Sequence, residues 1–216
     1  IGLFCSQFFS LHRMDPKKVT EVIICSVVPP VMRALTEAVR IYFGCTPHVV
    51  GKNTEVPIKN RYDNPAEVGA DRLVASYAGL RAYGAPLVVV DFGTATTFDA
   101  VDKTGAYLGG AILPGIATAA EALVSRTAKL PPIELKAPPS VIGRNTIHAM
   151  QAGLIFGYVA LVEGMVERFR KELGREMKVI ATGGHVQKIA DHTHIIDKVE
   201  PWLTLEGLRL IWEMNQ

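Results

Sequence analysis

The sequence predicts an α/β fold, and three observations carry that reading. Residues 87–90, Leu-Val-Val-Val, are apolar on both faces and mostly β-branched, as a buried strand requires. Stretches with helical periodicity alternate with such runs along the chain. Glycine and proline punctuate the junctions, as at Pro29-Pro30, Gly84 and Gly183-Gly184.

Taken in order, residues 1–11 read like the middle of an amphipathic helix, so an N-terminal portion is expected to precede Ile1. Residues 22–28 form an apolar strand stopped by Pro29-Pro30, and 31–43 have helical periodicity. A short strand is expected at 47–50, then a polar loop over 51–65. A helix within 66–83 is expected to begin near Asp71 and end at Gly84. Strands follow at 87–91, 96–102 and 106–113, the last two joined by a turn at Lys103-Thr104-Gly105. Residues 116–129 are helical, and Pro131-Pro132 and Pro138-Pro139 frame an extended linker. A long helix over 145–173, with room for an interruption, precedes a strand at 178–182. Gly183-Gly184 opens another helix, a short strand holds Ile195-Ile196, and 204–214 is the last helix.

A chain of 216 residues with 49% hydrophobic residues has room for one domain or two small lobes sharing a core. A net charge of +2 with interspersed acids and bases gives no basic stripe for nucleic acid. The longest wholly apolar run, 152–162, is closed by Glu163 and is too short for a bilayer, and the start lacks the pattern of a secretory signal. Cys5, Cys25 and Cys45 are scattered and odd in number, as expected of reduced thiols in a cytoplasmic protein.

The most informative stretch is 87–100, LVVVDFGTATTFDA. Asp91 ends a buried strand where an ion could reach it. Gly93, Thr94 and the neighbouring hydroxyls then offer a turn able to hold phosphate oxygens. A carboxylate repels phosphate, so Asp91 suits a cation that attracts one; the plainer alternative is a hairpin with a capping acid. A second motif is Tyr62-Asp63-Asn64-Pro65, followed by Gly69-Ala70-Asp71-Arg72. Asp71 suits a helix N-cap and the positive end of the helix dipole. With the bare backbone of Gly69-Ala70 and the donors of Arg72, it also suits an alcohol substrate with an anionic end.

Gly109-Gly110 through Gly115 links a strand to a helix, and close packing explains most of it. Gly183-Gly184 makes either a tight turn or room for a ribose or flat ring. Thr146, after Gly143-Arg144-Asn145, either caps the long helix or meets an anion at its N-terminus. The triplet Asp91-Phe92-Gly93 lacks the other protein-kinase signatures, and no GxxxxGK[ST] or GxGxxG occurs. His192 and His194 have no further ligand at metal spacing. Residues 152–162, with Gly153 and Gly157 four apart, call for burial on every side, and a homodimer through this helix would supply it.

Together these motifs resemble the type III pantothenate kinases. The matching strings are YDNPAEVGADR (62–72), VVDFGTATTFDA (89–100), GGAILPGI (109–116), GRNT (143–146) and ATGG (181–184), in the family's order and over nearly the whole chain. The resemblance implies the two-lobed actin, Hsp70 and sugar-kinase ATPase fold, which is ribonuclease H-like. Here residues 1–84 would be the remainder of an N-terminal lobe and 85–216 the C-terminal lobe. The family's first phosphate motif, a strand with DxGNTN, does not occur in these 216 residues; its hairpin unit is expected upstream of Ile1. The implied reaction is ATP-dependent phosphorylation of pantothenate to 4′-phosphopantothenate, the first step towards coenzyme A. It uses Mg²⁺ and a monovalent cation, K⁺ or NH₄⁺, in a cytoplasmic homodimer.

The resemblance also implies roles. Asp71 would be the base, and Tyr62, Gly69, Ala70, Asp71, Arg72 and, from a partner subunit, Thr146 would bind pantothenate. Asp91 would hold the monovalent cation, Gly93 and Thr94 would meet the ATP phosphates, and Gly183 and Gly184 would lie near the adenine. Two other readings stay open on sequence grounds: a kinase for another small hydroxy acid, and a non-enzymatic regulatory or transcription-activating paralogue.

Overall fold

The computed structural model describes residues 2–215. Its centre is a five-stranded mixed sheet. Strands β3 (Leu87–Phe92), β4 (Ala95–Val101) and β5 (Tyr107–Pro114) form an antiparallel meander, while β6 (Lys178–Thr182) and β7 (Lys198–Val199) run parallel to β3 on its other side. A separate pair, β1 (Ile23–Ile24) and β2 (His48–Val49), is parallel and joined by helix α2 (Pro29–Phe43). Helix α1 (Gly2–Leu11) lies on α2 through Phe9 and Phe43, whose rings are 5.4 Å apart.

Both faces of the central sheet are covered, which is why β3 can be apolar throughout. Alternate residues Val88, Val90 and Phe92 pack with Ile155, Val162 and Val166 of α5 (Thr146–Leu173). Leu87 and Val89 face the other way, with Ala75 and Ala78 of α3 (Ala70–Tyr83) and Leu203 of α7 (Leu203–Met214). The period of two therefore turns Asp91, and Thr97 and Asp99 on β4, to the α3 side of the sheet. Helix α4 (Ile116–Arg126) follows β5, and the short α6 (Val186–Ala190) follows β6.

Several sequence expectations shift. The strand at 22–28 contracts to two residues, because only Ile23 and Ile24 find a partner strand, in β2. The strand placed at Ile195-Ile196 lies instead at Lys198–Val199. The Asp197 carboxylate accepts the Val179 N–H at 2.7 Å and fixes the register just beyond it. α5 runs 28 residues without interruption, and it is buried on one side only. By length and hydropathy alone this helix could cross a bilayer, but half of its apolar window is buried inside the molecule. Gly153, Gly157 and Ala160 form an open stripe on its outer side, and a side chain at either glycine would meet nothing within 4 Å. The three cysteines are free thiols.

Candidate active site

The site is built where the C-terminal ends of β3 and β6 meet the N-terminus of α3. Register places Asp91 beside Thr97 of β4 on one flank and Thr182 of β6 on the other. An open cleft of about 420 Å³ begins there, lined by Asp91, Thr182, Gly183 and Gly184, with Trp202 and Thr204 opposite. Gly183 has two reasons to be glycine. Its φ is +98°, and a Cβ would lie 2.4 Å from Asp91 Oδ1 and 2.6 Å from the Phe92 backbone. Gly184 opens onto free space.

The turn after β3 is pinned from behind. The Thr94 carbonyl accepts the Gly115 N–H at 2.9 Å and the Thr118 hydroxyl at 2.8 Å, which leaves the Thr94 side chain exposed. A Cβ on Gly115 would strike the Gly93 and Thr94 carbonyls at 2.3 and 2.5 Å, so the loop at 115 exists to hold this turn.

At α3, the N-cap is Gly69, not Asp71. Asp71 stands in the first turn, exposed, with Oδ1 accepting the Arg72 N–H at 2.9 Å. A Cβ on Gly69 would sit 2.5 Å from that same carboxylate oxygen and 3.3 Å from Val27, so a bare backbone keeps the acid accessible. Asp71 acts electrically on its surroundings. Burial, then the charges of Asp71 and Asp99, push the Asp91 carboxyl up to about 6. Burial, then Asp71, push the Cys25 thiol up to about 12, so Cys25 is no nucleophile.

Arg72 is not a free surface donor. Its Nε donates to Asp99 Oδ1 at 2.7 Å, and Nη2 lies 2.7 Å from the same oxygen. That second approach is an ion-pair distance without hydrogen-bond alignment, because the buried Nη2 has no hydrogen-bond partner among the described residues. The Tyr107 hydroxyl donates to Asp99 Oδ1 at 2.8 Å and the Thr97 hydroxyl to Oδ2 at 2.9 Å. Asp99 is 1% exposed; burial raises its carboxyl above the ordinary range, and Arg72, Tyr107 and Thr97 pull it back. Tyr62 packs on Gly109, where φ is +120° and a Cβ would meet the ring at 2.9 Å; its ring centroid is 6.5 Å from that of Tyr107. The structure brings Asp91, Gly93, Thr94 and Gly183-Gly184 together at the C-terminal end of β3 and β6, with Gly69 to Arg72 at the start of α3 joined to them through the charges of Asp71 and Asp99. Tyr62 lies farther along β5, against Gly109 and Tyr107, and reaches the cluster through the Tyr107–Asp99 hydrogen bond. Thr146 is not among them: it is exposed at the start of α5, behind the Asn145 cap, and no contact joins it to this cluster within one chain.

Asp99 and Tyr107 were not singled out from sequence, and Thr97, read there as one of the hydroxyls of the phosphate turn, donates instead to Asp99. The signal was there in the alternation of β4, which sends Thr97 and Asp99 to the same face as Asp91.

Comparison with known proteins decides the family. The sequence model of the type III pantothenate kinases matches residues 1–168. The chain belongs to the type III pantothenate kinase family. A type III pantothenate kinase from Dehalococcoides mccartyi is 50% identical over 203 residues, covering 94% of this chain and 79% of the relative. A solved Campylobacter jejuni structure, assigned to a Baf family of transcriptional activators, matches with a TM-score of 0.62 at 21% identity. It covers 98% of this chain and 88% of its own. At that identity the likeness speaks to the fold alone, a mixed α/β architecture consistent with a kinase ATPase.

Proposed function

We propose that this pantothenate kinase transfers the γ-phosphoryl group of ATP to the primary hydroxyl of pantothenate, opening coenzyme A synthesis, with Asp71 as the base. One observation carries the site reading. The exposed Asp71 carboxylate lies within electrostatic reach of Asp91, which lines the cleft formed with Gly183 and Gly184. An acid with no ion pair among the described residues, beside a crevice with a glycine floor, is what an alcohol nucleophile and a nucleotide both need.

The division of work follows from charge. Phosphoryl transfer asks mainly for positioning and neutralisation. The alcohol loses its proton late, and Asp71 would accept it. Gly93, Thr94 and the backbone of the pinned hairpin turn would donate to phosphate oxygens, and Gly183-Gly184 would admit the nucleoside. Tyr62, Gly69, Ala70, Arg72 and a partner subunit's Thr146 would bind pantothenate. Asp91 fits a monovalent cation, K⁺ or NH₄⁺: burial first, then the charges of Asp71 and Asp99, make its ionised form costly, and a bound cation would offset that cost. Such an ion, when bound, offsets phosphate charge. Mg²⁺, which keeps oxygen ligands and binds substrate phosphates, would come bound to the triphosphate.

The finer fold reading is also proposed: two actin-like lobes, 1–84 and 85–216, acting in the cytoplasm as a homodimer through the open stripe at Gly153, Gly157 and Ala160, where a partner helix can approach closely. The test of the site is Asp71→Asn under saturating ATP and pantothenate. Turnover is expected to fall by roughly 10²–10⁴-fold with KM little changed. Near wild-type kcat would remove Asp71 from the role.

A further inference from the structure

We propose that Asp99 is a positioning residue that sets the enzyme's preference for a substrate ending in a carboxylate. It does so by clamping one edge of Arg72 so that the other edge is presented to the ligand. This deepens the pantothenate kinase reading and rests on it.

The argument begins with a cost. On this face of the sheet Asp99 stands opposite Val89, between Val101 and Thr97 on its own strand, with the fully buried apolar Leu87 and the acid Asp91 diagonal to it. An acid at 1% exposure among them gives up its hydration, and a buried ion pair seldom repays that in stability. An apolar residue would serve the core at least as well. What the carboxylate does provide is geometry. Three donors converge on it from three elements: Arg72 from α3, Tyr107 from β5 and Thr97 from its own strand.

The geometry matters most at Arg72. Its Nε donates to Oδ1 at 2.7 Å and Nη2 lies at the same distance in an ion pair, so the guanidinium is held by one edge. The guanidinium carbon also lies 6.0 Å from the Tyr107 ring centroid, which limits rotation about the plane. Nη1 donates to no described residue, and the side chain keeps 12% exposure. A planar fork fixed on one edge is pre-organised on the other, and a carboxylate recognises such an edge better than a neutral group does. Arg72 follows Asp71 directly, so the same clamp that orients the guanidinium also fixes the distance between the bound acid end and the base. Without Asp99 the guanidinium would be free to swing onto Asp71 or Asp91 and neutralise the wrong group.

The experiment compares pantothenate with its alcohol analogue, in which the carboxylate is replaced by CH₂OH, for wild type, Asp99→Asn and Tyr107→Phe. Wild type is expected to prefer pantothenate in kcat/KM. Asp99→Asn is expected to raise the KM for pantothenate at least about tenfold with kcat within about threefold, while the KM for the analogue stays put. The preference therefore collapses. Tyr107→Phe keeps the ring and removes one donor to the same carboxylate, so it gives a smaller change in the same direction and serves if Asp99→Asn does not fold. A variant that loses thermal stability yet keeps the wild-type ratio between the two substrates makes Asp99 merely structural and overturns the proposal alone. A wild type that phosphorylates both compounds equally overturns it too. A wild type inactive on pantothenate overturns the functional reading as well.

Discussion

Replacing Asp91 by Asn should make the cation-free protein more stable and less active at once. The carboxyl is raised from 3.8 to about 6, by burial first and then by Asp71 and Asp99. For an acid this means that the folded state disfavours the charged form. Above about pH 6 that penalty is fully present, and protonation relieves it as pH falls from about 6 towards 4. At about 1.4 kcal/mol per tenfold the displacement is worth about 3 kcal/mol. Solvent in the open cleft screens part of this, leaving about 1–2 kcal/mol. Asn keeps the shape and removes the charge, so at pH 7 in tetramethylammonium buffer Asp91→Asn should melt about 2–8 °C above wild type, at roughly 2–4 °C per kcal/mol for a chain of this size. The gap should close by about pH 4, near the carboxyl's ordinary value. Titrating K⁺ at pH 7 should stabilise wild type by mass action and leave the variant unmoved, and turnover of the variant should ignore the choice between sodium and potassium. If Asp91→Asn melts below wild type in tetramethylammonium, or responds to K⁺ as wild type does, the cation reasoning is wrong.

Two further outcomes are expected. Gly183→Ala puts a methyl 2.4 Å from Asp91 Oδ1 at a φ of +98°; it should lower the melting temperature and raise the KM for ATP in steady-state assays, since both the strand-to-helix turn and the cleft must shift. Gly157→Leu fills space that is empty within one chain, so the monomer's fold, read by circular dichroism, should stand. If α5 is the subunit interface, light scattering at micromolar concentration should show a dimer for wild type and a monomer for the variant.

The central fold was legible because periodicity and punctuation agreed. The apolar run at 87–90, the Lys103-Thr104-Gly105 turn and the apolar run of 178–182 fixed β3 to β6 to within a residue or so. Pairing partners were not legible. Ile195 and Ile196 are apolar because they pack against the core, whereas the ladder forms at 198–199, where Asp197 ties the chain to Val179. Apolarity reports burial and says little about which backbone groups find a partner. The same limit applies at α5, where the sequence left room for an interruption and the helix carries Gly153, Gly157 and Gly164. Each costs about 1 kcal/mol in a helix interior, and the buried row Ile155, Tyr158, Val162, Val166 outweighs that. The motif residues at 62–72 and 91–94 were legible as chemistry. That Arg72 is tied to Asp99 was not, since it depends on which strand lies opposite the helix.

The tie changes how the charge of the site should be counted. Read along the sequence, Arg72 balances Asp71, its neighbour. In the fold Arg72 pairs with Asp99, and Asp71 and Asp91 repel each other with no ion pair for either among the described residues. Both intended substrates are anions. On the proposed reading, cations bound with them would offset that negative charge. The same arrangement suits Asp71 to its proposed role as the base: an arginine held elsewhere cannot pair with it and quench it. The burial of Asp99 and the freedom of Asp71 are therefore one arrangement, and a substitution that frees Arg72 should blunt the base even though no atom of Asp71 has been altered.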